Sequence, residues 1–336
     1  MRRPRALRAL SVLGTAAVLM LVMAAPARAH AGGGAEPSNY RMTVTSIRPP
    51  AAGVAVRVGV GGQWVRVTNN AGSTVTVLGY AGEPFLRIEG GQAVVNRHST
   101  VLADNPRLAS VPTQPNPEAR PQWVPAGTGG SVAWSDDRLT GESGGRDGRQ
   151  GRWRLPLQVG GVATTVTGTW ERVPPPSPWP WVAGLVAVTL AVAGLGWLSR
   201  PYWVAVPVLA LGGAANAAHL IVGALGPHPG SAAAVWGSAL GMGALCWPIV
   251  VVGVVSASRG GEHAGFAVAI AGAVLAVMTG PGDAAVLWHS QLPFPGPPAL
   301  ERVLVVAAFG IGAGLTVAGI RLLRAAPNRD PDDEAT

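Results

Sequence analysis

Six histidines carry most of the chemistry open to this chain, and each sits in a different setting. His30 follows Ala27-Arg28-Ala29, a small-residue cleavage site that closes a basic start (Arg2, Arg3, Arg5, Arg8) and an apolar run from Ala9 to about Ala25. Cleavage after Ala29 makes His30 the mature N-terminus, where amine and imidazole together can chelate copper(II), an ion suited to such nitrogen donors. Cleavage after Ala31, or a disordered Gly-rich start, leaves that chelate unmade. His98, in "VVNRHSTV" at a strand end, is the candidate second ligand.

His219 lies inside an apolar helical stretch, with Asn216 three residues earlier on the same face. An ionisable group inside a membrane is costly and is read first as functional. A neutral histidine hydrogen-bonded between helices is the structural alternative. The segment "GPGDAAVLWHSQLPFPGPP" (280–298) adds Asp283, Trp288 and His289 between proline-rich ends. It is either an ordered loop or, with His228, a polar site under the preceding domain. Its residues Val286, Leu287 and Trp288 offer an apolar edge to a membrane interface. Met242 and Cys246, four apart on a helix, offer soft sulfur ligands to copper(I) or plain core packing. Asp136 and Asp137 stand beside Arg138, which favours a local ion pair over a cation site. His-Glu-x-x-His, a Walker loop and paired cysteines are all missing from the sequence, and the spacing of Ser, His and Asp suggests no triad, so no enzyme is expected.

The elements that must position these residues fall into two halves suited to different solvents. The signal, residues 1–29, takes five of the 25 basic residues, all arginine, leaving 20 against 17 acidic ones and a net charge of +3. That balance predicts no nucleic-acid partner. Cys246 is the only cysteine, so an exported domain must be held by its core rather than by disulfides. Residues 30–173 read as an extracytoplasmic all-β domain. In "GQWVRVTNNAGSTVTVLGY", Trp64, Arg66 and Thr68 alternate with Val65 and Val67, then the chain turns at Asn69-Asn70-Ala71-Gly72 and resumes at Val75 and Val77. Trp153, Leu155, Leu157 and Val159 share a face, Gly160-Gly161 turns, and Val162, Val166 and Trp170 return. Seven to nine such strands, interrupted by a Pro-rich stretch at 103–130 and a Gly-rich one at 139–151, predict a sandwich of immunoglobulin or cupredoxin type.

A Pro-rich linker at 174–178 leads into residues 179–323, which predict an all-α five-helix transmembrane bundle. The helices fall at about 179–198, 202–225, 231–256, 264–280 and 301–321, each near the roughly 20 residues that cross a bilayer core. Residues 324–336 form the tail. Arg200, Arg259, Arg321, Arg324 and Arg329 fall on one predicted side, whereas the loops 226–230 and 281–298 hold no arginine. The positive-inside rule therefore puts the tail in the cytoplasm, with Arg302, beside Glu301, as the exception. Trp179, Trp181 and Trp236 mark the outer interface and Trp197, Tyr202 and Trp203 the inner one. Gly237/Gly241 and Gly310/Gly314 have the spacing that lets membrane helices approach closely.

Four stretches together, "AHAGGGAEPSNYRMTVTSI", "VTNNAGSTVTVLGYAGEPFLRI", "SPWPW" and "LWHSQLPF", resemble a family of uncharacterised actinobacterial membrane-anchored proteins. The resemblance samples the whole mature chain and implies kinship without an activity. It also implies histidines flanking the aspartate in the loop that here reads Trp134-Ser135-Asp136-Asp137-Arg138, so Ser135 and Asp137 are departures. At His30 alone the chain is similar to copper-resistance proteins of the CopC type, small β-sandwiches that also begin with histidine after an Ala-x-Ala site. The Asp-x-His ligand motif of that family is missing here.

The expectation is thus a non-enzymatic protein of the cell envelope, in the lipid bilayer, handling copper at its outer face. The alternative is an interaction module whose β-domain docks a protein partner. Copper(II) titration of residues 30–177 by electron paramagnetic resonance, with and without one residue added before His30, separates them. Tight binding abolished by the extension is expected for the copper reading, and equal weak binding removes it.

Overall fold

The computed structural model describes residues 35–140, 149–198, 202–261 and 263–325. The signal, His30 and residues 326–336 lie outside this range. Among the described residues, alternating apolar residues build an antiparallel β-domain of ten strands: β1 (Tyr40–Arg48), β2 (Val54–Val58), β3 (Val65–Asn69), β4 (Val75–Leu78), β5 (Pro84–Glu89), β6 (Gln92–Asn96), β7 (Trp123–Thr128), β8 (Ser131–Trp134), β9 (Gln150–Val159) and β10 (Val162–Arg172). One sheet has the order β1-β10-β9-β4-β5-β6-β7 and the other β2-β3-β8. Both contribute to one core, in which Val65, Val67 and Trp134 of the smaller sheet meet Val77, Phe85, Leu155 and Trp153 of the larger. Phe85 and Trp134 pack edge to face at 5.5 Å.

The Gly160-Gly161 turn has φ of 57° and 82°, so both central residues occupy the left-handed region that a two-residue hairpin of this type requires. Val159 and Val162 flank it as a pair, although Val162 lies past the core edge and is exposed. The turn after Asn69 differs from the expected simple reversal, because β3 and β4 belong to different sheets. Asn69 explains the switch. Its Oδ1 accepts from Ala71 N (2.9 Å), while its Nδ2 donates to Ser73 O and, across the core, to Ile88 O, both at 2.9 Å. β7 lies inside the Pro-rich stretch that reads as loop. It pairs with β6 alone, at an edge, where Pro125 loses no ladder bond and a register shift accommodates it.

Glu83 is buried just before β5 and meets the start of the short helix α1 (Thr100–Asp104), which follows β6. Burial pushes its carboxyl up. The Ser99 hydroxyl (2.6 Å) and the Thr100 hydroxyl and amide (both 3.1 Å) donate to Oε1 and outweigh that effect, holding it below the usual carboxylate range. A second short helix, α2 (Asp137–Thr140), follows β8.

Among the described residues, five long helices follow the sheets: α3 (Trp179–Leu198), α4 (Ala205–Ala224), α5 (Ala232–Arg259), α6 (Ala264–Asp283) and α7 (Pro298–Ala325). Three stretches, Tyr202–Ala224, Ala232–Arg259 and Pro298–Leu323, are long and apolar enough to cross a membrane; Trp179–Leu195 and Ala264–Gly280 are apolar but shorter. Ser231 caps α5 through its hydroxyl, and α7 opens on Pro298, a residue whose missing N–H costs nothing in a first turn.

Small residues set the helix spacing. A Cβ on Gly312 would lie 2.6 Å from Ala276 N and 2.7 Å from Gly272 O, so α6 and α7 touch backbone to backbone. Gly310 and Gly314 seat Val188 and Val192 of α3. Gly237 and Gly241, by contrast, meet nothing within 4 Å among the described residues, so that pair does not serve packing within this chain.

The two halves meet through polar contacts. Arg66 Nη2 donates to the carbonyls of His228 (2.7 Å), Pro229 (3.2 Å) and Gly230 (3.3 Å), in the loop between α4 and α5. Ser38 and Gln291 exchange backbone bonds of 2.9 and 2.8 Å. Ser290 N donates to Asn39 Oδ1 (2.9 Å) and its hydroxyl to Val173 O (3.3 Å).

Two outcomes are expected. Gly312→Ala lowers the unfolding midpoint of the purified protein, at an overpacking cost of about 1–3 kcal/mol, whereas Gly241→Ala leaves it unchanged or raises it. Glu83→Gln destabilises the β-domain by about 1–3 kcal/mol at neutral pH, since it removes hydrogen bonds to a buried charge. The folded carboxyl is depressed, so its contribution is present above the unfolded value and lost as pH falls through the folded one. Unfolding curves of wild type and Glu83→Gln therefore converge in acid.

Candidate functional site

The helical half carries its polar chemistry at the end that faces the β-domain. His219 sits near the end of α4 and is 2% exposed. Its Nε2 lies 3.1 Å from Oδ2 of Asp283, the last residue of α6. Its Nδ1 lies 2.9 Å from Oε1 of Glu301, in the first turn of α7. Both carboxylates are buried as well.

The two contacts differ in quality. Nδ1 meets Glu301 at ion-pair distance but off the line that a directed hydrogen bond needs, and Glu301 Oε2 has no hydrogen-bond partner among the described residues. Glu301 is therefore the less satisfied arm.

Neighbouring groups lock the ring's helix in place. Asn216, one turn before His219 and also buried, donates from Nδ2 to Thr279 Oγ1 of α6 (3.0 Å) and accepts from Trp247 Nε1 of α5 at 3.1 Å. Arg302, next to Glu301, points the other way. Its Nε donates to Val286 O (2.9 Å), its Nη2 donates to His289 O (2.7 Å), and its guanidinium lies 5.8 Å from the centre of the Trp181 ring on α3. Two buried acids thus share this end of the helices with two buried basic side chains, His219 and Arg302, so with a charged ring the four balance, as burial of charge requires.

The chemistry open to this arrangement is proton binding. An imidazole with an oxygen at each nitrogen satisfies both contacts only when doubly protonated; with one proton fewer, a lone pair faces an oxygen unless a carboxyl holds the proton. A metal ion would need donors converging on one centre. Here the ring separates the carboxylates, and among the described residues no group of His, Cys, Asp and Glu is arranged to hold one.

Of the residues singled out in the sequence, His219, Asn216 and Asp283 come together here. His289 stays apart from the ring: its Nδ1 meets Ala285 O at 2.8 Å and only its carbonyl reaches Arg302. His228 meets Gly230 O through Nδ1 (3.0 Å) and Arg66 through its own carbonyl. Val286 and Leu287 are buried in a cluster with Leu292, Phe294, Val305 and Val306, leaving Trp288 as the exposed residue of that trio. His98 ties a loop, its Nδ1 lying 3.1 Å from Arg120 O, and His30 lies outside the described residues. Cys246 is fully buried in the helical core with Leu209 and Val250. Asp136 forms the expected local ion pair with Arg138 Nη2 at 2.7 Å and accepts a hydrogen bond from Trp134 Nε1 at 2.9 Å.

Sequence reasoning missed Glu301 and Arg302 as site residues. Their signal was two adjacent charges at the head of an otherwise apolar helix, which registered only as an exception to the arginine asymmetry. Comparisons of the chain with protein-family models, with curated proteins and with solved structures found no match.

Proposed function

We propose that this chain is a non-enzymatic protein of the cell membrane whose helical half holds an exchangeable proton beneath an extracytoplasmic β-sandwich. Five helices cross the bilayer in this reading, with the tail in the cytoplasm. One observation carries it: the His219 ring lies between the carboxylates of Asp283 and Glu301, all three buried, at the β-domain end of apolar helices. A passive anchor has no use for such a group, because isolated charges in an apolar domain cost several kilocalories per mole each unless paired. The side to which the site opens follows from the arginine asymmetry, so the proton comes from outside. Copper binding at the mature N-terminus is a separate proposal supported by the Ala-x-Ala site before His30.

Infrared difference spectroscopy of the full-length protein in lipid nanodiscs, between neutral and mildly acidic pH, tests the proton reading. A buried carboxylic-acid C=O band that disappears in Glu301→Gln and moves in His219→Gln is the expected result. A spectrum unaffected by either substitution would sink the proposal.

A further inference from the structure

The proton-binding network and the seat of the β-domain are joined by a short piece of chain. After Asp283 the backbone makes a single tight turn (Ala284–Leu287), exposes Trp288, and reaches Ser290 and Gln291. These two residues carry the β-domain, through Asn39, Val173 and the Ser38 bridge. The same segment is gripped from α7 by Arg302, at the carbonyls of Val286 and His289. Leu292 and Phe294 then pack with Val305 and Val306 of α7. Asp283 and Glu301 thus bracket residues 284–300, and both hold the same imidazole.

We propose that this network is a proton-operated latch: its proton count sets the position of residues 284–292 and, through them, whether the β-domain sits on the helices. The latch rests on the proton-exchange reading above. The groups facing the ring are Asp283 from α6 and Glu301 from α7. Arg302 follows on α7, and His289 stands in the moving segment with its ring on the Ala285 carbonyl. α5 adds the uncharged Trp247 indole through Asn216, and α3 adds the Trp181 ring against Arg302. Arg66 with the His228 carbonyl forms the second, separate contact between the halves.

The direction follows from charge balance. With both carboxylates ionised, the ring doubly protonated and Arg302 charged, the four buried charges cancel, and this is the docked state. A further proton from the outer medium enters at Glu301 Oε2, the oxygen without a hydrogen-bond partner. Glu301 becomes a neutral acid, the ring keeps one counter-charge instead of two, and an excess positive charge remains beside Arg302. The head of α7 is then no longer drawn to α4, and the Arg302 grip on residues 286 and 289 loosens. Acid releases the β-domain from Ser290 and Gln291, while the Arg66 contact stands outside the latch.

Hydrogen exchange read by mass spectrometry on the full-length protein in nanodiscs tests this, following peptides that cover Ser38–Tyr40 and Ser290–Leu292. After correction for intrinsic rates, exchange there is expected to be about tenfold faster in mild acid, the scale of one lost neutral hydrogen bond. Glu301→Gln should exchange fast at both pH values. Asn39→Ala, which touches only the docking contact, should do the same while keeping the infrared carboxyl titration. His289→Gln should retain the wild-type pH response, and a response abolished by that substitution would assign the effect to His289 and overturn the latch. A carboxyl titration in the infrared with pH-independent exchange at these amides overturns the latch and leaves proton exchange standing. No carboxyl titration at all removes both.

Discussion

A histidine ring held between two carboxylates inside an apolar helical domain places heavy demands on everything around it. Charges out of water must be matched by partners at hydrogen-bond distance, or their burial unfolds the domain. Meeting that condition requires the end of α4, the end of α6 and the start of α7 to converge within a few ångströms. The backbone contact between α6 and α7 at Gly272 and Gly312 helps provide this, because bulkier residues there would push the two helices apart. Asn216 completes the frame by tying α4 to both α5 and α6.

The β-domain solves a different problem with different means. With no disulfide available, it relies on a continuous apolar core between its sheets, and three of its buried polar side chains are satisfied locally. Asn69 stitches one sheet to the other, Glu83 gathers the donors of the Ser99–Thr100 turn, and Asp136 is neutralised by Arg138. These groups read as structural because their hydrogen-bonding capacity is used up. Glu301 stands out against them, with one oxygen unpartnered and the other poorly aimed. A chemically active group differs from a structural one in this unspent capacity.

Contact between the halves is polar and made mostly of main-chain groups. Such contacts are directional and exchange readily with water, unlike the apolar packing within each half. A displacement of residues 284–292 would disturb the contacts at Ser290 and Gln291, whereas the Arg66 contact with residues 228–230 does not involve that segment. Each half has an apolar core of its own, and the hydrogen bonds between them are few.

Much of this was present in the sequence because local patterns decide it. Alternation in "RWRLPLQV" specified a strand with Trp153, Leu155 and Leu157 inward, and Gly160-Gly161 specified the turn, since few other residues adopt its backbone angles. Apolar length located the helices, and His219, Asn216 and Asp283 declared themselves as polar residues in apolar surroundings. What the sequence could not carry was pairing across distance. Whether β4 follows β3 in the same sheet depends on where the Asn69 side chain finds its acceptors, and Ile88 is far along the chain. Glu301 looked like a helix-end charge until the fold set it against His219, 82 positions earlier. A partner that lies on another helix leaves no trace in the spacing of either residue. Only the packing of α4, α6 and α7 turned three scattered ionisable residues into one site.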